Sequence, residues 1–355
     1  MVIVRNCNPN LNFQSIRNAV ARVQSNTNAI KGLLGEQRVR NAIPERFQDN
    51  VMAGCWLVSN YTGQCTRHLL FLVHIPPADE DLPSEIKLED IPNEIIQLST
   101  LAQNLGIPTY YCLPHIFNDR DLPSDNATNA VLNAYLTSQN LSKTGNKQDK
   151  IDRINSIFSK IQYGCVNLAT PESINSLPSV LNQHNFPEKR GGIRRFASSN
   201  PEIIDDLNEE TIIEEFWKRH LWWKLKSLTS SHCADIDALY FSNNDVIPLE
   251  IKTKSIAGID TATPYFGIDV GTIAKMLKFS QLGTGGGEGI YIVEERQGDD
   301  PPIDYHITTM SNLYANMELH TGGGGASGFG GGGTEVVKVP MHTFNIMSEQ
   351  FFETL

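Results

Sequence analysis

Residues 235–254 of this 355-residue chain read DIDALYFSNNDVIPLEIKTK, and this stretch determines the fold that we expect for the C-terminal part of the chain. Runs of β-branched and large apolar residues predict strands at 234–242 and 246–253. The Asn-Asn-Asp sequence at 243–245 is typical of a turn, so we expect the two strands to pair as a hairpin.

The hairpin predicts a cluster of charged side chains on one of its faces. Because side chains alternate along a strand, Glu250 and Lys252 share a face while Ile251 points into the core. On the neighbouring strand, Asp235 and Asp237 share one face in the same way. Charges beside an apolar sheet cost free energy unless a cation neutralises the carboxylates. We therefore expect a divalent cation at this position.

Such a cluster has the chemistry that phosphodiester hydrolysis requires. Mg²⁺ binds carboxylate oxygens, water and the phosphate oxygens of a substrate. It lowers the pKa of a bound water and stabilises the charge that builds on phosphorus. A lysine two positions after a ligand glutamate can orient the attacking water or stabilise the same charge. These residues thus indicate a Mg²⁺-dependent phosphodiesterase.

The arrangement resembles the PD-(D/E)XK nuclease superfamily, which has the restriction-endonuclease-like fold. The resemblance rests on Asp237 and on Glu250-Ile251-Lys252 in successive strands, and it covers residues 209–294. It implies that Asp237, Glu250 and the main-chain carbonyl of Ile251 bind Mg²⁺, and that Lys252 is the catalytic lysine.

Two positions of this motif have alternatives. Ile236 stands where family members often have a proline before the aspartate, which leaves Asp235 as a rival for the metal position; we favour Asp237, which directly precedes the strand. Members of the family often add an acidic residue from the preceding helix, predicted here at 209–228. Of three glutamates near its start, Glu214 lies at the margin of the apolar face. We assign it as an accessory metal ligand, with a solvated helix residue as the alternative.

Basic and polar side chains around the cluster are candidates for contacts with phosphates. The candidates are Lys254, Lys275, Lys278, Gln281, Arg194 and Arg195. The first continues the strand after Lys252, the next three follow a helix, and the two arginines belong to a basic loop. Ordinary exposed side chains are the alternative interpretation at each position.

The N-terminal part of the chain shows a related order of elements. The periodicity predicts helices over 11–47, strands at 51–59 and 68–74, a helix at 94–104 and a strand at 107–113. This helix–strand–strand–helix–strand order repeats that of 209–294, either by degenerate duplication or by chance. A second E-x-K tripeptide, Glu85-Ile86-Lys87, follows a proline and resembles the start of a helix.

Composition limits the class of protein. A net charge of −11 excludes an indiscriminate polyanion binder of the histone type. The six cysteines are scattered, which is typical of reduced intracellular thiols. No apolar run approaches the roughly 18 residues of a membrane helix. We expect a cytoplasmic protein without a membrane segment or an organic cofactor.

These observations predict an α/β protein with a restriction-endonuclease-like core, in which helices flank a mixed central sheet. We expect an N-terminal α/β region at 1–117 that serves recognition, dimerisation or is a degenerate duplicate, a linking or inserted region at 118–200, and a nuclease domain at 201–355. The expected function is that of a Mg²⁺-dependent DNA endonuclease of the restriction or phage-defence type, acting as a homodimer. A repair or recombination nuclease, or a non-catalytic nucleic-acid-binding or scaffolding protein with the same fold, is the alternative.

Overall fold

The computed structural model describes residues 2–5, 11–21, 27–60, 67–76, 78, 85–116, 161–171, 174–189, 201–242, 245–280, 288–298, 301–323 and 335–355. The architecture is mixed α/β, as expected, with mixed sheets flanked by helices. The chain divides into two compact units. Unit 1 contains Met1–Lys31 and Cys55–Asp235, and unit 2 contains Gly32–Gly54 and Ile236–Leu355.

The helices of the described residues are α1 (Phe13–Ala19), α2 (Thr27–Ala42), α3 (Glu45–Gln48), α4 (Asn93–Asn104), α5 (Leu177–Gln183), α6 (Glu209–Leu228), α7 (Val270–Ser280), α8 (Met310–Asn316) and α9 (Glu349–Glu353). The strands are β1 (Val2–Arg5), β2 (Val51–Ala53), β3 (Trp56–Asn60), β4 (Arg67–Val73), β5 (Glu85–Lys87), β6 (Thr109–Ile116), β7 (Ile161–Asn167), β8 (Ile174–Ser176), β9 (His232–Asp235), β10 (Ala238–Ser242), β11 (Asp245–Lys254), β12 (Tyr265–Asp269), β13 (Ile290–Glu295), β14 (Asp304–Thr309), β15 (Glu318–Gly323), β16 (Glu335–Pro340) and β17 (Asn345–Ile346). None of these helices combines the length and the apolar composition that crossing a lipid bilayer takes.

Unit 1 is built on a six-stranded sheet with the order β8-β7-β6-β4-β3-β9. Strands β4 and β6 are parallel and α4 lies between them in the chain, whereas all other neighbours are antiparallel. On one face, Phe71 of β4 packs in a core cluster with Leu181 of α5 and Leu225 of α6. This apolar stripe explains why α6, with tryptophans and leucines along one side, forms a long buried helix.

Unit 2 is built on a second six-stranded sheet with the order β17-β14-β13-β11-β10-β2. Strands β11 and β13 are parallel, and the other neighbours are antiparallel. On one face, Leu249 of β11 packs with Val39 of α2 and Phe352 of α9. On the other face, Val293 of β13 packs with Ile273 of α7 and with the three-stranded sheet β12-β16-β15.

Several predicted elements are confirmed. The hairpin forms with the expected antiparallel register, in which Ala238 lies opposite Leu249. The helices predicted at 94–104 and 209–228 and the strand at 107–113 correspond to α4, α6 and β6. Each of these segments has a periodicity long enough to be recognised without tertiary information.

Two predicted strands are wrong because each is interrupted and contributes to two sheets. The run at 51–59 forms β2 and β3, which are separated by Gly54 and Cys55 and lie in different sheets. The run at 234–242 forms β9 and β10 in the same manner. Gly54 permits the first break, because a β-carbon there would overlap the main-chain carbonyl oxygen of Ile236.

Two further expectations are corrected. The tripeptide at 85–87 is not a helix start but strand β5, which pairs with β1. The helix expected over 150–162 gives way at its described end to strand β7, which pairs with β6 and β8. In both places pairing with a strand distant in sequence overrides local propensity. The helix expected at 127–138 lies outside the described residues.

Candidate active site

The site of unit 2 lies where strand β10 begins. Pairing between β10 and β11 starts at Ala238 and Leu249. Asp237, the residue before β10, turns its side chain toward β11, and its Oδ2 accepts a hydrogen bond from the main-chain N–H of Ile251 at 2.8 Å. The aspartate thus replaces a strand as the partner of β11, which fixes its carboxylate beside the next residues of that strand.

Three oxygen atoms surround the Nζ atom of Lys252. They are Oδ2 of Asp237 at 2.9 Å, Oε1 of Glu250 at 2.6 Å and the main-chain oxygen of Ile251 at 3.0 Å. A second ammonium group, Nζ of Lys275 on α7, lies 2.6 Å from Oε2 of Glu250. The predicted alternation is therefore confirmed, since Glu250 and Lys252 share a face and Ile251 is buried in the core behind them.

The cluster is buried at its carboxylates and open at one lysine. Glu250 is 0% exposed and Asp237 is 5% exposed. The Lys252 side chain is 31% exposed. Solvent therefore reaches the cluster through the ammonium group, while the two carboxylates are held in place by their surroundings.

The electrostatics keep both members of the central pair charged. Burial raises the pKa of Asp237, but the charges of Lys252 and Lys275 and the Ile251 N–H outweigh it and lower the pKa to about 2. Burial lowers the pKa of Lys252, but the carboxylates of Asp237 and Glu250 outweigh it and hold the pKa well above its ordinary value. At neutral pH the cluster thus contains an aspartate anion and a lysine cation.

This pKa shift predicts a specific acid sensitivity. The folded pKa of Asp237, about 2, is below the ordinary value of 3.8, so its contribution to stability is present above about pH 4 and is lost as the pH falls through 2. Urea unfolding from pH 7 to 2 should show a loss of about 2 kcal/mol that is missing in Asp237→Asn. The control is Asp49→Asn at an exposed position. Identical pH dependence in wild type and Asp237→Asn would refute the shift.

The structure places three of the predicted phosphate-contacting residues. Lys275 belongs to the cluster itself, where it contacts Glu250. Lys254 follows on the same face of β11, and burial lowers its pKa although the charge of Asp269 opposes this. Lys278 is partly exposed on α7. The remaining candidates, Gln281, Arg194 and Arg195, lie outside the described residues.

Two acidic candidates belong to unit 1. Glu214 lies on α6, where its Oε1 is 3.6 Å from Nζ of Lys218. Asp235 is the last residue of β9 and pairs with Trp56 in the sheet of unit 1. Of the two rival aspartates, Asp237 is thus the one whose carboxylate contacts Lys252. The assignment of Glu214 as an accessory ligand stays a prediction.

Sequence reasoning missed one residue of the cluster. Arg40 of α2 donates from Nη2 to the main-chain oxygen of Asp237 at 3.2 Å, across 197 positions of sequence. One helical turn earlier stands Glu36, the acidic residue of α2. A glutamate and an arginine four residues apart on a helix are too common to signal a site.

The donor set suits a hard divalent cation with few protein ligands. Within the described ranges, no three His, Cys, Asp or Glu side chains are arranged to hold a metal ion. The cluster offers instead two carboxylates and one carbonyl oxygen around the Lys252 ammonium. Mg²⁺ needs one or two carboxylates and completes its shell with water and substrate oxygens, so these residues fit it.

Comparison of the chain with protein-family models, with curated proteins and with solved structures gives no match. The functional argument therefore rests on the geometry of the cluster.

Proposed function

We propose that the chain is a Mg²⁺-dependent endonuclease that hydrolyses DNA phosphodiester bonds at the cluster of Asp237, Glu250 and Lys252. The main support is the position of the Lys252 ammonium, which lies within 3.0 Å of two carboxylate oxygens and a main-chain carbonyl. Three oxygens that converge on one point stabilise a cation there. The residues that would hold Mg²⁺ are Asp237, Glu250 and Ile251.

When bound at such a site, Mg²⁺ activates water and offsets the negative charge of a phosphate. The chain's own residues then have separate roles. Asp237 and Glu250 supply fixed negative charge, held by the Ile251 N–H and by Lys275. Lys252 stays protonated at neutral pH, so it acts as a charged hydrogen-bond donor to a phosphate oxygen and not as a general base.

The free-energy cost of the cluster also supports a functional role. Two carboxylates and two ammonium groups meet beside an apolar sheet. Replacing a buried ion pair by packed apolar residues is often neutral or stabilising. A cluster of this kind is therefore weak evidence for stability, and perturbed ionisable groups that meet at one place are typical of functional sites.

The sheet of unit 2 is compatible with the restriction-endonuclease-like core, because the hairpin β10–β11 is followed by the parallel strand β13. On that basis we propose a restriction or phage-defence role, with DNA as the partner and a homodimer as the assembly that cuts both strands. We propose the cytoplasm as the location, in line with the free thiols of the four described cysteines.

The proposal is tested by incubating the full chain with plasmid DNA, linear DNA and RNA in the presence of Mg²⁺, Ca²⁺ or EDTA. We expect DNA cleavage with Mg²⁺, its loss in EDTA and its recovery when Mg²⁺ is restored. Sequencing of the cleaved ends would then define the target. Cleavage that survives EDTA would contradict the metal site. Binding of DNA without cleavage in any of these ions would favour the non-catalytic alternative.

A further inference from the structure

The two six-stranded sheets have the same topology. Read from one edge, the orders β8-β7-β6-β4-β3-β9 and β17-β14-β13-β11-β10-β2 match position by position. The central pair is parallel in both, and the four other pairs are antiparallel. Five pair directions agree along two independent sheets of one chain, so chance similarity of two α/β units explains the match poorly.

The registers of the two sheets also correspond. In unit 1, Phe71 pairs with Trp56, the first residue of β3, and with Tyr110 of β6. In unit 2, Leu249 pairs with Ala238, the first residue of β10, and with Ile290 of β13. Phe71 and Leu249 therefore occupy equivalent positions.

The flanking helices follow the same scheme. The helix that precedes β9 in the chain, α6, packs on the face of the sheet that contains Phe71. The long helix that precedes β2, α2, packs on the face that contains Leu249. The short helices after the last strands, α5 and α9, join these same two clusters.

The two units exchange their first segments along the chain. Strand β2 belongs to unit 2 and leads through Gly54 and Cys55 into β3 of unit 1. Strand β9 belongs to unit 1 and leads through Ile236 and Asp237 into β10 of unit 2. The two connections have the same length and the same place in the topology, so Cys55 is the counterpart of Asp237.

The equivalence identifies the counterparts of the remaining cluster residues. Leu72 follows Phe71 as Glu250 follows Leu249, and His74 stands two positions later, as Lys252 does. Both pairs point away from the core cluster on the helix-covered face, because side chains alternate.

One residue type is the same in both units at this place. Tyr111 pairs with Leu72, and Tyr291 pairs with Glu250.

Resting on the proposed function, we infer that unit 1 is a second copy of the unit 2 fold whose cation-holding positions are replaced by Cys55, Leu72 and His74. Each chain then has one active site, located in unit 2. It hydrolyses one phosphodiester bond in each encounter with its substrate, and cutting the second strand needs a second chain or a second encounter.

The chemistry of the replacements supports this inference. Cys55 and Leu72 are buried and carry no charge that could hold Mg²⁺. His74 bonds through Nδ1 to the Tyr111 hydroxyl at 2.8 Å, and burial lowers its pKa to about 4, so it is neutral at pH 7. The same topology thus forms without the charged cluster, which means that unit 2 does not need these charges in order to fold.

The test uses matched substitutions at equivalent positions of the full chain. Lys252→Ala and His74→Ala form one pair, and Glu250→Gln and Leu72→Met form the other. With Mg²⁺ and plasmid DNA, we expect the two unit 2 variants to lose about 10²-fold or more in cleavage rate. The two unit 1 variants should stay within about twofold of wild type. Leu72→Met keeps the side-chain volume, so it remains informative if His74→Ala unfolds.

The outcomes separate the inference from the proposed function. Loss of cleavage in a unit 1 variant that retains the wild-type circular dichroism spectrum and melting temperature would overturn the inference. Full activity in both unit 2 variants would refute the proposed site instead. A wild-type chain that cuts neither DNA nor RNA would refute the proposed function itself.

Discussion

Replacing Glu250 by glutamine is expected to lower Mg²⁺-dependent DNA cleavage by about 10³-fold or more. The substitution keeps the shape of the side chain and removes the charge that contacts both Lys252 and Lys275 at 2.6 Å. The cation then loses one of two carboxylates, and the two ammonium groups lose the anion between them. Single-turnover cleavage of a labelled DNA fragment measures the effect.

The matched control for this experiment is Glu85→Gln, in the chain's other E-x-K tripeptide. That tripeptide forms strand β5, which pairs with β1 in a separate two-stranded sheet. We expect it to leave the cleavage rate within about twofold of wild type. Thermal unfolding of both variants establishes that they are folded at the assay temperature. Wild-type cleavage by folded Glu250→Gln would show that the active site lies elsewhere.

Replacing Arg38 by alanine is expected to destabilise unit 2 by about 3–5 kcal/mol. Arg38 of α2 bonds through Nε to Oε1 of Glu294 and through Nη2 to Oε2 at 3.0 Å, while Thr253 Oγ1 donates to Oε2 at 2.7 Å. Glu294 is 0% exposed, so the substitution leaves an anion buried with one hydroxyl donor. Urea unfolding followed by circular dichroism measures the change in the free energy of unfolding.

The control for this prediction is Arg46→Ala, also in unit 2. Arg46 forms ion pairs with Glu349 and Glu353, whose side chains are 62% and 54% exposed. Exposed pairs of this kind contribute about 1 kcal/mol or less. Adding Glu294→Gln to Arg38→Ala should restore part of the lost stability, because no anion is then left buried. Equal losses for Arg38→Ala and Arg46→Ala would show that burial of the pair has no energetic consequence.

The parts of the fold that depend on local pattern were predictable from sequence. The hairpin followed from two apolar runs around a turn, and strand alternation correctly placed Glu250 and Lys252 on one face and Ile251 on the other. Helices α4 and α6 followed from their periodicity. The proximity of Asp237 to Lys252 followed from hairpin geometry alone.

The remaining features depend on contacts between residues far apart in sequence. A continuous apolar run such as 51–59 carries no sign that it changes sheets at Gly54, since both halves are buried strands. Arg40 reaches Asp237 across 197 positions, and Lys275 reaches Glu250 from a helix that sequence alone could only place nearby. Such partners are set by tertiary packing, for which local propensity gives no signal.

The exchange of β2 and β9 also sets the order in which the nascent chain can fold. The sheet of unit 1 lacks its edge strand until Asp235 has left the ribosome, while residues 32–54 must wait for strands made after it. Contacts of such sequence separation are slow to form, because the closure entropy of a long loop comes first. Neither half of the gene, expressed alone, would encode a complete sheet, and the two halves should regain solubility only when co-expressed.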